Sequence, residues 1–475
     1  MLLTPYRVLD LTRSYGMLCG QMLADLGADV IQIEPPGGAD GRGMGPFLDH
    51  TPDPEHSLYW WGYSRGKRSM ELDIAAQAQT FEQLVASADI LIESEPLDGQ
   101  AALPLAYEPL AQLNPGLIYV KISPYGPTGP KSTWAASDIT IAASAGPLAM
   151  TGDDDRAPVR VSIPQSYNHA AAEAAVGALV ALHERVHSGR GQRVDASAQQ
   201  AMTLATQGNI LSAAIGETTA NRIAGGLKAG ELRIRLTYPA KDGFVSITHI
   251  FGATVGPATR RLMEYVYENG FCDEATRDKD WVAYGLLLAT GEEPIAEFER
   301  VKACVAACTA SKTKAELLDA AMQRRLLLAP MTTIEDVVNA EQFADRDYFT
   351  RPSGTGPSAQ GDYPGPFARF SQTPMSEPLA PPSIGQHTAE ILSGLPQASP
   401  RESVDSNDAA QDRLPLEGLK VLDFMWALAG PGCTRILADW GATIVRVESS
   451  SKLDVIRTVR PFMQGDELPE KSALF

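Results

Sequence analysis

The stretch "YRVLDLTRSYGMLCGQMLADLGADVIQIE", residues 6–34, decides the fold. "RVLDLT" is a short apolar run of strand character. "MLCGQMLADLGA" places apolar residues at i, i+3 and i+4, which is one face of a helix, and Gly27 marks the helix end. "DVIQIE" is a second apolar run, closing on Glu34. Strand, turn, helix, strand is the unit from which parallel α/β sheets are built. The same unit returns at residues 419–448 as "LKVLDFMWALAGPGCTRILADWGATIVRVE", with Gly441 at the helix end. After a one-residue gap in the turn, about eleven of the twenty-seven positions from Val8 to Glu34 are identical in the two copies. Two unrelated βαβ units do not share that many positions. The chain therefore carries an internal repeat.

Working outward, "ILIES" (90–94) and "GLIYVKIS" (116–123) read as buried parallel strands. "AAQAQTFEQLVASA" (75–88) and "AAAEAAVGALVALHERVHSG" (170–189) read as helices, the second rich in alanine and suited to close packing. The alternation predicts an α/β fold with a doubly wound, Rossmann-like parallel sheet. Beyond residue 216 the character changes. "IRLTYPAKDGFVSITH" (234–249) is a hairpin around Lys241-Asp242-Gly243. Helical segments follow at 258–269, 294–310, 314–325 and 334–349, so a smaller α+β domain is expected. The expected organisation is a large domain over 1–215 and 346–395, a small domain over 216–345, a polar linker over 396–415, and the start of a second copy over 416–475.

Composition limits the function. The net charge of −18 lacks the basic face that nucleic acid requires. Any anionic ligand must meet a local basic patch. Five scattered cysteines without a CxxC do not form a disulfide framework and fit a cytoplasmic protein. The N-terminus has no basic n-region followed by a long apolar run, and no apolar stretch is long enough to span a membrane. No metal site is expected.

Eight segments in order resemble the family III CoA-transferases, the carnitine dehydratase/bile-acid-inducible F group. They are the opening "VLDLT…GQMLADLGADVIQIEPPGGADGR", "YSRGKRSMELDI", "LNPGLIYVKISPYGPTGP", "SDITIAASAGPLAMTG", "SGRGQRVDAS", "YPAKDGFVSI", "TTIEDVVNAEQFADRDYF" and "APPSIGQHTAEIL". The resemblance implies that family's fold and interlocked dimers. It implies CoA transfer between an acyl-CoA and a carboxylic acid, with the CoA thioester as substrate and no permanently bound cofactor. It also implies a carboxylate, usually aspartate, as nucleophile. A desolvated carboxylate is a competent nucleophile toward a thioester, and glycine-rich backbone N–H groups can hold the developing oxyanion.

Here the sequence departs from the family. In "VSIPQSYNHAAAEAAVG" (161–177), counting ten back from Gly177 or three on from Pro164 reaches Tyr167, so a tyrosine holds the aspartate position. A phenol with a pKa of about 10 is neutral at pH 7 and does not form the usual anhydride. His169 and Glu173, one turn apart on a helix, are the substitute candidates, as base and orienter. "GDDDR" (152–156) reads as a solvated turn. Pro35 stands where relatives often carry a basic residue, and the arginines expected in "ESEPLDG" (93–99) and before Tyr107 are missing. Arg42, Arg65, Lys67 and Arg68 remain as candidates for holding CoA phosphates. The first turn, "SYGM" (14–17), is a residue shorter than the family's Ala-Gly-Pro, which the second copy keeps at Ala429, Gly430 and Pro431.

The expectation is a tandem transferase whose two halves form a pseudo-dimer. The first copy is then a scaffold, and the sequence stops early in a catalytic second copy with roughly 350 residues missing. The alternatives are an acyl-CoA racemase or lyase that uses His169 with Glu173, and a non-catalytic partner subunit.

Overall fold

The computed structural model describes residues 1–94, 105–215, 222–229, 232–253, 255–375, 377–395, 413–427, 429–458, 462–463, 466 and 468–472. Most of the expected linker, residues 396–412, most of "ESEPLDG" and the first four residues of "AALPLAYEP" lie outside this set. The chain divides into two compact units. The first comprises Met1–Leu148, Arg160–Ala220 and Asp347–Phe475; the second comprises Ala149–Val159 and Asn221–Arg346. Residues 149–159, expected in the large domain, group with the second unit.

In the first unit the elements run β1 (Arg7–Asp10), α1 (Met17–Asp25), β2 (Asp29–Glu34), α2 (Leu58–Ser64), β3 (Arg68–Glu71), α3 (Ala78–Ser87), β4 (Ile90–Ser94), α4 (Tyr107–Leu113), β5 (Ile118–Ser123), α5 (Asp138–Ala145), α6 (Ser166–Ser188), β6 (Arg193–Ser197), α7 (Ala198–Leu204) and α8 (Gln207–Ala214). The six strands form one parallel sheet in the order β3-β2-β1-β4-β5-β6, which is a doubly wound arrangement. Successive side chains on a strand face opposite sides, and the core shows it. Val8, Val30, Ile92 and Val120 pack with Leu23 and the alanines of α6 on one face. Leu9, Ile31, Leu91 and Tyr119 pack with Phe81 and Leu84 of α3 on the other. Both faces are covered, so these strands read as continuous apolar runs. The alanines of α6 let it lie close to the sheet: a Cβ on Gly177 would sit 2.7 Å from Val194 Cγ1.

The second unit contains β7 (Gly226–Ala229), β8 (Leu232–Arg235), β9 (Thr237–Ala240), β10 (Gly243–Ile247), α9 (Gly256–Glu268), α10 (Glu274–Arg277), α11 (Tyr284–Thr290), α12 (Ile295–Ala310), α13 (Lys314–Arg324), β11 (Leu328–Pro330), α14 (Ile334–Val338) and α15 (Glu341–Asp345). The β9–β10 hairpin turns at Lys241–Asp242, with Gly243 at φ +143° opposite Ala240. The segment 334–349, read as one helix, is two. Thr333 starts α14 with a capping box to Asp336, and the helix stops at Asn339 before Glu341 begins α15. The core of this unit is apolar and aromatic, with Tyr238, Met263, Trp281, Tyr284, Phe298 and Val301 fully buried.

The chain then returns to the first unit with β12 (Phe349–Thr350), β13 (Tyr363–Pro364) and α16 (Thr388–Ser393). Residues 379–388 run beside β3: Gly66 N donates to Leu379 O at 2.8 Å and His387 N to Ser69 O at 2.9 Å. The repeat follows as β14 (Lys420–Asp423), α17 (Ala429–Asp439) and β15 (Thr443–Arg446). Its register, Lys420 to Thr443 and Val421 to Ile444, is that of Arg7 to Asp29 and Val8 to Val30. Gly27 and Gly441 leave the two helices at φ +99° and +103°, a left-handed step natural to glycine. The Ala429-Gly430-Pro431 sequence, expected as a turn, is the first turn of α17 itself; Pro is compatible there because its missing N–H has no intrahelical partner.

Candidate functional site

The site begins at the carboxyl ends of β1 and β4, where the sheet order reverses and doubly wound folds bind ligands. Two features occupy it: the turn from β1 into α1 and the N-terminus of α6. Asp138 anchors the latter. Its Oδ1 accepts from the backbone N–H groups of Gln165 and Ser166, both at 2.8 Å, so the first donors of α6 are satisfied by a carboxylate. This places Tyr167 against Tyr15 of the β1–α1 turn, with ring centroids 5.1 Å apart and Tyr167 only 2 % exposed. Tyr59 of α2 donates to Ser14 O at 2.7 Å and stacks edge-on against Tyr63. Burial raises the Tyr59 phenol well above its usual range, with Tyr63 and Tyr15 adding to the effect. Tyr167, expected at the aspartate position, is thus part of a cluster of four tyrosines. Its other three members were not singled out in the sequence, because they come from separate segments.

His169 is exposed on α6. Glu173 is half-buried, and burial raises its carboxyl above the usual range. No hydrogen bond or ion pair joins His169 to Glu173, so the expected base–orienter pair is not formed. The shared helix face brings the two backbones together, but the side chains lie in different surroundings. Asp154 of "GDDDR" is taken by Arg233, at 2.8 and 2.6 Å, and by Lys228 at 3.6 Å; it is not an open carboxylate.

The four basic candidates do not converge on an open anion site. Each is turned inward onto an acid of the opening strand–helix–strand. Arg42 grips Glu34 with two hydrogen bonds of 2.6 and 2.8 Å, also reaches Glu55 and Pro382 O, and lies over the Trp60 ring. Lys67 is fully buried, with its three donors placed on Asp10 (2.8 Å), Met17 O (3.1 Å) and Gln32 (3.2 Å). Arg68 holds both oxygens of Asp29 and also meets Glu390. Arg65 donates to Asp25 at 3.0 Å, and Gln21 donates to the other oxygen at 2.9 Å. Burial raises the Asp25 carboxyl, and Arg65 opposes that. Among the four, only Arg65 keeps a buried nitrogen, Nη1, without a hydrogen-bond partner among the described residues. Arg42, Lys67 and Arg68, expected to hold phosphates, are ion-pair partners within the first unit. Their charges are neutralised within the fold, and freeing one leaves a buried carboxylate unpaired.

The second copy rebuilds part of this frame. Arg457 grips Glu448 at 2.8 and 2.6 Å as Arg42 grips Glu34. Asp423 accepts from Met425 N at 2.7 Å as Asp10 accepts from Thr12 N at 3.0 Å. Where Asp10 takes Lys67, Asp423 takes the hydroxyl of Thr434 at 2.8 Å. Among the described residues no group of three or more His, Cys, Asp or Glu side chains is placed to hold a metal, and no helix is long and apolar enough to cross a membrane.

A doubly wound sheet with a helix N-terminus at its switch point defines a ligand-binding α/β protein, with a second small α+β unit inserted. The chain belongs to CoA-transferase family III: the family model matches residues 3–388 and 416–475. It is 32 % identical over 394 residues to the succinyl-CoA:(R)-benzylsuccinate CoA-transferase subunit BbsE of Thauera aromatica, covering 82 % of this chain and 92 % of that protein. It is 29 % identical over 469 residues to a probable CoA-transferase of Mycobacterium tuberculosis, covering 95 % of this chain and 54 % of that one. A CaiB/BaiF family protein from Brucella suis has the same fold, with a TM-score of 0.69 over 82 % of this chain and 98 % of its own, at 24 % identity.

Proposed function

We propose that this chain takes part in CoA transfer between an acyl-CoA and a carboxylic acid, with the first copy serving as scaffold rather than supplying the nucleophile. The observation that carries the reading is Tyr167, a buried phenol packed on Tyr15 where the family aspartate is expected. A buried phenol is neutral at pH 7 and cannot give the mixed anhydride that a carboxylate gives. The catalytic carboxylate then belongs to a second module, with which the first copy forms a pseudo-dimer. The repeated register of β14 and β15, the repeated Arg–Glu clamp and the relative matched over 54 % of its length support this. Five free thiols suit a reducing, cytoplasmic setting.

Incubation of the protein with succinyl-CoA and hydroxylamine, followed by peptide mapping, tests the reading. No label is expected on Tyr167, His169 or Glu173, and a hydroxamate or acyl adduct on any of them overturns it. A second reading, a non-catalytic partner chain, is favoured by the same buried phenol and by the Thauera relative being named a subunit. Stable association with a catalytic homologue, together with no CoA binding by this chain alone, would select it.

A further inference from the structure

The run His183-Glu184-Arg185-Val186-His187 lies in the last two turns of α6. His183 is sixteen residues beyond Tyr167, which is roughly 24 Å of helix rise, so the run is remote from the α6 N-terminus described above. Positions i and i+4 share a helix face, and the two imidazoles stand one turn apart on it. Their ring centroids are 5.3 Å apart, with the planes at 83°, and both residues are exposed. The charged residues between them are engaged elsewhere. Glu184 accepts from Ser188 Oγ at 3.0 Å, and Arg185 donates to Asp89 Oδ1 at 3.0 Å and to Gly116 O at 2.7 Å. Among the described residues, neither imidazole is held by a hydrogen bond or an ion pair.

Two imidazoles this close match two ligands of one ion. A metal–nitrogen bond of about 2.0–2.1 Å puts an ion roughly 3.2 Å from each ring centre, and at a tetrahedral angle the two centres then stand about 5.2 Å apart. The observed separation is 5.3 Å. The position on the helix adds to this, because the C-terminal end of a helix carries the negative end of its dipole and favours a cation. Two histidines four apart with a glutamate after the first is also the spacing of zinc peptidase helices, where the glutamate acts as base and a third side chain completes the metal site. Here Glu184 is turned to Ser188, and among the described residues no third His, Cys, Asp or Glu is grouped with the pair. The pair is therefore suited to holding an ion and not to zinc-assisted hydrolysis.

We propose that His183 and His187 form a surface site for a divalent late-transition-metal ion such as zinc or nickel, with water in the remaining coordination positions. This departs from the expectation that the chain has no metal site. Imidazole nitrogen selects such ions over magnesium and calcium, which take oxygen ligands. The two nitrogens meet one ion only while α6 is helical, so occupancy stabilises the C-terminal turns of α6 by mass action. The ion then fixes the far end of the helix whose first turn carries Tyr167.

The test is calorimetric titration of the full chain with Ni²⁺ and Zn²⁺ in a buffer free of metal ligands, with Mg²⁺ as the control ion. Saturable binding is expected for Ni²⁺ and Zn²⁺, with Mg²⁺ at least a hundredfold weaker. His183→Gln and His187→Gln, both at exposed positions, are each expected to weaken Ni²⁺ at least tenfold. Cys433→Ser, which removes an exposed thiol, and His50→Asn, in another exposed segment, are expected to leave Ni²⁺ binding unchanged. Amide hydrogen exchange over residues 183–188 should slow when Ni²⁺ is bound. Absence of saturable Ni²⁺ binding overturns the proposal. So does binding that survives both α6 histidine variants, or that is lost in Cys433→Ser, since either places the ion elsewhere. No arm uses CoA, so failure here is distinct from failure of the transferase reading.

Discussion

Gly20 lacks a side chain because Asp10 and Lys67 fill the space one would need. A Cβ there would lie 2.0 Å from Asp10 Oδ2 and 3.2 Å from Lys67 Nζ. Both partners are fully buried, so a displaced pair cannot recover its energy from water. Gly20→Ala is expected to destabilise the first unit by about 3 kcal/mol or more, read by urea unfolding; a loss below about 1 kcal/mol would mean that the pair shifts freely. In the second copy the same position is Thr434, whose hydroxyl meets Asp423 instead. A second prediction concerns His249, buried among aromatic rings with Nδ1 2.8 Å from the Tyr238 hydroxyl. Burial, helped by Lys302, pushes its imidazole down to about 4. An unfolded histidine titrates near 6.5, so between about pH 4 and 6.5 the unfolded state binds more protons than the folded state. Stability therefore rises with pH across that window, by roughly 3 kcal/mol at most, and is flat above it. Denaturation at pH 4.5 and 7 should show a smaller difference in His249→Phe than in the unchanged protein. An unaltered difference would assign the acid sensitivity elsewhere.

At the scale of elements, β6 is brought to the sheet by a close approach of backbones. Gly191 N donates to Pro115 O at 2.8 Å, and a Cβ on Gly191 would stand 2.0 Å from Leu117 O. A carbonyl in a buried strand entry cannot yield as a flexible side chain can. Gly191→Ala is expected to cost about 2–3 kcal/mol and to loosen β6 from β5, visible as faster hydrogen exchange at Val194 and Ala196. Equal exchange in both proteins would contradict this. The same scale shows why the element pattern was legible and the site was not. Apolar periodicity and punctuating glycines are local, so the strands and helices around residues 6–34, 90–94, 116–123 and 170–189 could be read directly. The partners of the basic residues were not legible because they are remote: Lys67 is 57 positions from Asp10, and Arg68 is 39 from Asp29. A run of Arg-Gly-Lys-Arg looks like a phosphate patch until its acids are found on β1, α1 and β2.

At the scale of the whole molecule, the two copies differ in what covers them. Leu9, Leu11 and Ile31 of the first copy are buried at 0 %, 3 % and 0 % exposure, while their counterparts Leu422, Phe424 and Val445 stand at 62 %, 63 % and 54 %. An apolar strand face left open to water drives association. Phe424→Lys with Leu422→Lys is therefore expected to lower dye binding by exposed apolar surface and to reduce self-association in sedimentation velocity, with little change in the unfolding of the first unit. Unchanged behaviour would show that this face does not drive association. Short-range patterning determined the α/β class and the strand–helix–strand unit that recurs at residues 419–448, because strand and helix periodicities are written in residues a few positions apart. Only the tertiary structure decided that Tyr167 is sealed against Tyr15 and that three of the four basic candidates are fully neutralised inside the fold. Those facts depend on which distant side chains share a buried volume, and burial converts a surface charge into either a fixed pair or an unmet one.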